Sequence, residues 1–187
     1  MGQRQVPVVV HDLSNQEITP ARLFGCGYRY SVPLDKWNLD DFACDFIYAG
    51  DQVVHFELPG TLGVIQNANS FEAKVRHYPL WDAQDWTSTP SIESIETDVH
   101  FIKVERKHLT DDFLAWANTQ NNIVFVLTTK HTHAMASLRA MCMRLDECNC
   151  HVPAILHRNP DVTEPETYQL HAATDLGGPL LDGFGDG

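Results

Sequence analysis

The sequence predicts a single α/β domain over residues 1–187, a degenerate TIM-barrel-like arrangement of parallel strands and helices, on three observations. Strand-like segments begin near residues 99, 123, 152 and 179, each about one βα unit (~25–30 residues) from the next. Amphipathic helical segments lie between them, which makes the sheet parallel and covers both its faces. Four less regular strand-like segments come first, and eight is the number that closes a parallel barrel. The 187 residues fall below the ~200–250 of a full barrel. The early helices are therefore expected to be shortened or lost, and an open doubly wound sheet is the competing arrangement.

In the first half the strand candidates are Val6–Val10, Phe46–Tyr48, Leu62–Ile65 and Val75–Tyr78. Turn-forming residues separate them, among them Pro20, Gly25, Gly27, Pro33, Gly50, Pro59-Gly60 and Asn67, with few helical stripes. Thr87–Asp98, rich in Ser and Glu, reads as a solvated loop. The second half is regular. Val99–Val104 is a strand, and Thr110-Asp111-Asp112 supplies an N-cap and two acids to a helix carrying Phe113, Trp116 and Ala117. Asn121-Asn122 ends that helix ahead of the apolar strand Ile123–Leu127. Ala134, Leu138, Met141, Cys142 and Leu145 recur at three- and four-residue steps, one buried stripe. Val152–Leu156 is the next strand. Thr163-Glu164-Pro165-Glu166 has the form of a capping box with Pro in the first turn. Its helix is expected to bury Tyr168, Ala172 and Leu176 and to stop at Gly177-Gly178 in a left-handed turn. Pro179–Leu181 completes the count as a fourth strand.

Composition excludes several functions. Thirteen Lys and Arg stand against 25 Asp and Glu, a formal charge of −12, and polyphosphate is repelled, so nucleic acid is not an expected partner. No run reaches the ~18–20 apolar residues of a membrane span, and the first residues lack the apolar stretch of a signal peptide. The five cysteines, Cys26, Cys44, Cys142, Cys148 and Cys150, are an odd number and a poor disulfide framework, which fits a reducing, cytoplasmic compartment.

In parallel α/β folds reactive groups sit just beyond the C-terminal ends of strands. Those positions hold His11 and Asp12, Arg106 and Lys107, Lys130, His131 and His133, His157 and Arg158, and Asp182. His11, Asp12, His131, His157 and Asp182 would suit a metal-dependent hydrolase, in which imidazole and carboxylate bind an ion that activates water. The plainer reading is that polar residues gather where the backbone emerges into water. Cys142, Cys148 and Cys150 have the spacing C-x5-C-x-C, which matches no common cluster or zinc run, and Cys142 belongs to the buried stripe. Asp182-Gly183-Phe184-Gly185-Asp186-Gly187 lacks both the dinucleotide fingerprint and the closing Glu of a calcium loop. Trp81, Trp86 and Trp116 with Phe101 read as core rather than a stacking platform.

Three fragments occur in a recognisable order: Val6-Pro-Val-Val-Val-His-Asp12, Asp45-Phe-Ile-Tyr-Ala-Gly50, and the ending Ala172-Ala-Thr-Asp-Leu-Gly-Gly-Pro-Leu-Leu-Asp-Gly-Phe-Gly-Asp-Gly187. Together they resemble the central insertion domain of the long form of 4-hydroxy-3-methylbut-2-enyl diphosphate synthase, an enzyme of non-mevalonate isoprenoid biosynthesis. The resemblance implies a three-domain parent. A barrel binding the cyclic diphosphate precedes this domain, and a domain holding a [4Fe-4S] cluster on three cysteines and a glutamate follows it. Electrons come from ferredoxin or flavodoxin. The Asp-Gly-x-Gly-Asp ending is similar to the one that closes the family's first barrel, which implies that the insertion is itself a degenerate barrel. No catalytic, cofactor-binding or metal-binding residue carries over to this chain, which is expected to be inactive alone and to act as a spacer. The ending, reached just after an apolar run, is expected to be a cut. A docking module for the electron donor is a further possibility, one that the acidity of such donors disfavours.

Overall fold

The structure, a computed structural model, describes residues 6–86 and 95–187. They fall into two compact units, Val8–Leu80 in one and Trp81–Gly187, with the residues ahead of Val8, in the other. Residues 87–94 of the expected solvated loop lie outside the described residues.

The Val8–Leu80 unit contains β1 (Val10–Asp12), β2 (Tyr28–Ser31), β3 (Lys36–Leu39), β4 (Phe46–Gly50), β5 (Gly63–Asn67) and the start of β6 (His77–Asp82). β1 pairs with β4, β4 with β5 and β5 with β6, all parallel. Residues 51–62 and 68–76 make the crossovers after β4 and β5 without an α-helix. The early helices are therefore lost, as the turn-rich sequence implies. The core gathers Leu13, Leu23, Tyr28, Ile47, Leu62 and Val64.

Three expectations shift here. The first strand is Val10–Asp12 rather than Val6–Val10: Val6 and Val9 are exposed, and Pro7 has no N–H for a ladder. The fourth starts at His77 because Arg76 takes a left-handed conformation (φ 59°), which breaks a strand. The antiparallel hairpin β2–β3 was not expected from the sequence. It reverses through a 3-10 turn at Val32–Leu34, with Pro33 in the turn and Asp35 left-handed behind it.

The other unit follows the expected rhythm. α1 (Ala83–Trp86) leads to β7 (His100–Val104), α2 (Asp111–Ala117), β8 (Ile123–Thr128), α3 (Ala134–Glu147), β9 (Ala154–His157), α4 (Pro165–Asp175) and α5 (Gly177–Leu181). β7, β8 and β9 pair in parallel. Thr110 caps α2, its Oγ1 accepting from Phe113 N at 3.3 Å, with Asp111 and Asp112 in the first turn. The buried residues of α3 are Ala134, Leu138, Met141, Cys142 and Leu145, the stripe read from the sequence. Trp81 and Phe101 are buried, as the core reading has it; the Trp86 side chain lies outside the described ones. Phe113 stacks on Phe125 with ring centroids 5.6 Å apart and meets Trp116 at the same distance.

The last stretch departs from expectation. Glu164, not Thr163, caps α4: its carboxylate accepts from Glu166 N and Thr167 N, and Pro165 takes the first helical position. Asp175 is the buried residue of α4, whereas Tyr168 stays 38% exposed and Ala172 and Leu176 are half-buried. Gly177 and Gly178 do not stop the chain in a left-handed turn. Gly178 serves close approach instead, since a Cβ there would lie 2.9 Å from Met135 Sδ. Pro179–Leu181 is therefore helix rather than strand. The left-handed stop comes at Gly183 (φ 86°), whose N–H donates to Leu180 O, and Gly185 (φ 80°) turns the chain once more. Asp186 N then donates to Ala154 O, while Leu156 N donates to Gly187 O at 2.8 Å. The edge of β9 is thus bonded by residues 186 and 187, a role the sequence reading gave to 179–181.

Seven described strands stand in parallel ladders and α-helices alternate with the later ones, an α/β fold.

Candidate functional site

The polar residues expected beyond strands were the sequence's candidates, and two of them, Arg158 and Asp182, fasten separate elements. Arg158, just after β9, donates from Nε to Asp175 Oδ2 at 3.2 Å and from a terminal nitrogen to Thr129 O at 3.3 Å. The two charged side chains keep only 13% and 11% exposure. One arginine therefore ties α4 and the loop after β8 to the end of β9. Asp182 is ion-paired with Arg139 of α3. Lys107 pairs with Glu105 at 3.1 Å. His131 Nδ1 accepts from His133 N at 3.0 Å, so this His-x-His pair shapes its own loop, and both residues are exposed.

His11 and Asp12 belong to the Val8–Leu80 unit, while His131, His157 and Asp182 belong to the other. Among the described residues no group of three or more His, Cys, Asp or Glu side chains converges as ion ligands.

An iron–sulfur cluster fits Cys142 and Cys150 no better. Cys142 is buried in α3, and burial pushes its thiol up to about 11, against the thiolate a cluster requires. Burial also raises the Cys150 thiol. Cys148, half-buried, donates from Sγ to Asp111 Oδ1 at 3.8 Å.

Two constellations escaped the sequence reading, both in the Val8–Leu80 unit. At the ends of β4 and β5, Tyr48 OH donates to Asn67 Oδ1 (2.7 Å), Asn67 Nδ2 to Asp51 Oδ1 (2.8 Å), and Ser70 Oγ to the same oxygen (2.8 Å). The two hydrogen bonds hold the Asp51 carboxyl below its ordinary value. Nearby, Gln52 Nε2 donates to the carbonyls of Leu13, Ser14 and Gln16, and Gln66, 1% exposed, donates to Gln52 O. This network fixes crossovers that have no helix to fix them.

The second constellation is His11, Cys26 and Cys44. Both thiols are buried in one small core, Cys44 N donates to Cys26 O at 3.0 Å, and the Cys44 thiol and the His11 ring lower the pKa of the Cys26 thiol. The partners are separated widely along the chain, so no spacing motif exists to find. An open cleft of the same unit, about 610 Å³, is lined by Phe56, Leu58, Lys74, Arg76 and His77 among others. Its cations are engaged internally: Lys74 with Glu72 at 2.6 Å, and Arg76 with Thr61 O.

What the geometry defines is a parallel α/β scaffold, its strand-end polar groups bound up in fastening loops and helices. Comparison with known proteins places it further. It is 31% identical over 143 residues to 4-hydroxy-3-methylbut-2-en-1-yl diphosphate synthase (flavodoxin) of Parabacteroides distasonis, covering 76% of this chain and 23% of the relative. The synthase of the same name from Porphyromonas gingivalis is 37% identical over 90 residues, 48% of this chain and 16% of the relative. That of Bacteroides thetaiotaomicron is 23% identical over 146 residues, 78% and 23% respectively. By sequence the chain groups with a segment of the 4-hydroxy-3-methylbut-2-en-1-yl diphosphate synthases. It spans less than a quarter of the length of these relatives. No protein-family model matches it, and no solved structure does. Among the described residues no helix is long and apolar enough to cross a membrane.

Proposed function

We propose that residues 1–187 are the central insertion domain of a long-form bacterial 4-hydroxy-3-methylbut-2-enyl diphosphate synthase. It is a spacer that sets the iron–sulfur domain over the substrate barrel and is inactive alone. The observation that carries this reading is the match to a segment of under a quarter of each relative. The parent is a cytoplasmic oxidoreductase that reductively opens 2-C-methyl-D-erythritol 2,4-cyclodiphosphate with loss of water. It draws electrons from flavodoxin, which the relatives' names include, or from ferredoxin. Its [4Fe-4S] cluster resides outside this chain, whose buried Cys142 and Cys150 do not fit it.

Three physical features support the assignment. A charge of −12 is a poor host for a diphosphate, which recruits Arg and Lys. The hairpin region presents Phe24, Val32, Leu34, Leu39 and Phe42 at 57–81% exposure, an apolar surface of the kind that neighbouring domains cover. Residues 186–187 lie on the edge of β9 where a barrel would place its eighth strand, which supports descent from a closed barrel.

The test uses the Parabacteroides distasonis enzyme, with the matching segment replaced by a Gly/Ser linker. Cluster absorbance and substrate binding should survive while turnover falls by about 10²-fold or more, the cost of misplaced reacting groups. Turnover at the parental rate would exclude the spacer role.

A further inference from the structure

The segments that carry Cys26 and Cys44 are pressed together backbone to backbone. Cys44 N donates to Cys26 O at 3.0 Å, and a Cβ built on Gly27 would lie 2.5 Å from Ala43 Cα. Tyr28 OH donates to Cys44 O at 2.7 Å and fixes the second segment. Both side chains point into one small core and meet there, 3% and 4% exposed. A directly bonded pair of this kind lies within the span a disulfide bridges, about 4.4–6.8 Å between Cα atoms. His11, on β1, is exposed, and its ring and the Cys26 thiol shift each other's titration.

We propose that Cys26 and Cys44 are a redox-active thiol pair that closes to an intrachain disulfide, with His11 as the residue that positions and activates Cys26. The two thiols are chemically unequal. The neighbouring Cys44 thiol first, and the His11 ring after it, favour the Cys26 thiolate and lower its pKa to about 5. Cys44, the donor to a neighbouring thiolate and itself buried, is pushed up and keeps its proton. The His11 ring is raised by its Cys26 neighbour, which favours the imidazolium beside a thiolate. This division is the one a two-step closure requires. The Cys26 thiolate attacks hydrogen peroxide, giving a sulfenic acid and hydroxide, which takes up a proton. The Cys44 thiol then displaces the sulfenic hydroxyl as water, and the S–S bond forms. Overall two thiols and one peroxide give one disulfide and two waters, and an external dithiol reverses the change. The other three cysteines are unsuited: burial raises Cys142 and Cys150, and Cys148 faces Asp111.

The experiment treats the folded 187-residue chain with hydrogen peroxide, blocks free thiols with a maleimide and measures intact mass and the linked peptides. The expected product has lost two hydrogen atoms and keeps three of its five thiols, with Cys26 and Cys44 in the linked peptide. Dithiothreitol restores all five. His11→Gln, at an exposed position where folding is not at stake, should slow closure by roughly tenfold through the lost thiolate activation. Five unreacted thiols under native conditions, a bridge through Cys148 or Cys150, or an unchanged rate in His11→Gln would overturn the proposal. The result is independent of the spacer role, which the linker experiment tests separately.

Discussion

Replacing Asp175 by Ala removes the carboxylate that Arg158 was folded against. Nε of Arg158 loses its 3.2 Å partner, and the guanidinium, only 13% exposed, keeps just the carbonyl of Thr129. Breaking a fully buried ion pair from one side costs about 3–5 kcal/mol, because a charge is left desolvated and unmatched. Here a little water reaches both groups, and His171 Nδ1, 3.9 Å from the carboxylate, is exposed enough to rehydrate. The expected loss is therefore about 2–3 kcal/mol, or roughly 5–10 °C in Tm for a chain of this size. Urea unfolding gives the free energy, and amide exchange locates it. Peptides from α4 and from the end of β9 should lose protection first. Asp175→Asn, which retains an acceptor but not the charge, should lose about half as much. If Asp175→Ala unfolds within about 0.5 kcal/mol of the parent and α4 keeps its protection, the pair does not hold that helix and the argument is wrong.

Two further outcomes follow from the same geometry. Gly27→Ala combines a left-handed φ of 86° with a Cβ 2.5 Å from Ala43 Cα, where only backbone can yield. A loss of at least about 2 kcal/mol in urea unfolding is expected, and a neutral variant would show that the two segments are not clenched. His100, buried in β7, accepts from Trp81 Nε1 at 3.2 Å through Nδ1, and burial lowers its pKa below the ordinary 6.5. The unfolded chain then binds the proton first, so stability is whole above pH 6.5 and falls as pH drops through the folded value. Urea midpoints at about pH 7.5 and 5.5 should diverge more in the parent than in His100→Gln, and equal losses in both would remove His100 as the cause.

Where the sequence was legible, the reason is periodicity backed by composition. The α3 stripe of Leu138, Met141 and Leu145 repeats at helical steps with nothing else competing, and its buried set is the one the residues announce. β8 and β9 are apolar runs of strand length bounded by turns. The ending was misread because Gly177-Gly178 has the look of a helix stop. Gly178 lets α5 approach Met135, and the true stop lies at Gly183. The expected apolar face of α4 failed for a different reason. Its anchor is the charge of Asp175, and hydrophobic spacing cannot register an ion pair with a residue in another element. The β2–β3 hairpin was hidden by Pro33 and the turn residues around it. Of the candidates expected beyond strands, Arg158 does follow one while Asp182 follows α5, and the partners of neither were legible. Arg158 and Asp182 read from the sequence only as polar groups beyond strands, and both are bound to side chains distant in sequence. The His11–Cys26–Cys44 cluster is the converse case, three residues unremarkable in their spacing that the fold makes neighbours.

The exposed ridge at Phe24, Val32, Leu34, Leu39 and Phe42 also governs how the chain behaves in a tube. At low ionic strength the strong negative charge keeps molecules apart and masks the ridge. Added salt shortens the reach of that repulsion to a few ångströms, and warming strengthens apolar attraction while cold weakens it. Light scattering that grows with salt and temperature and reverses on ice is the signature to look for, and dilute, cold, low-salt buffer is where the chain should be handled as single molecules.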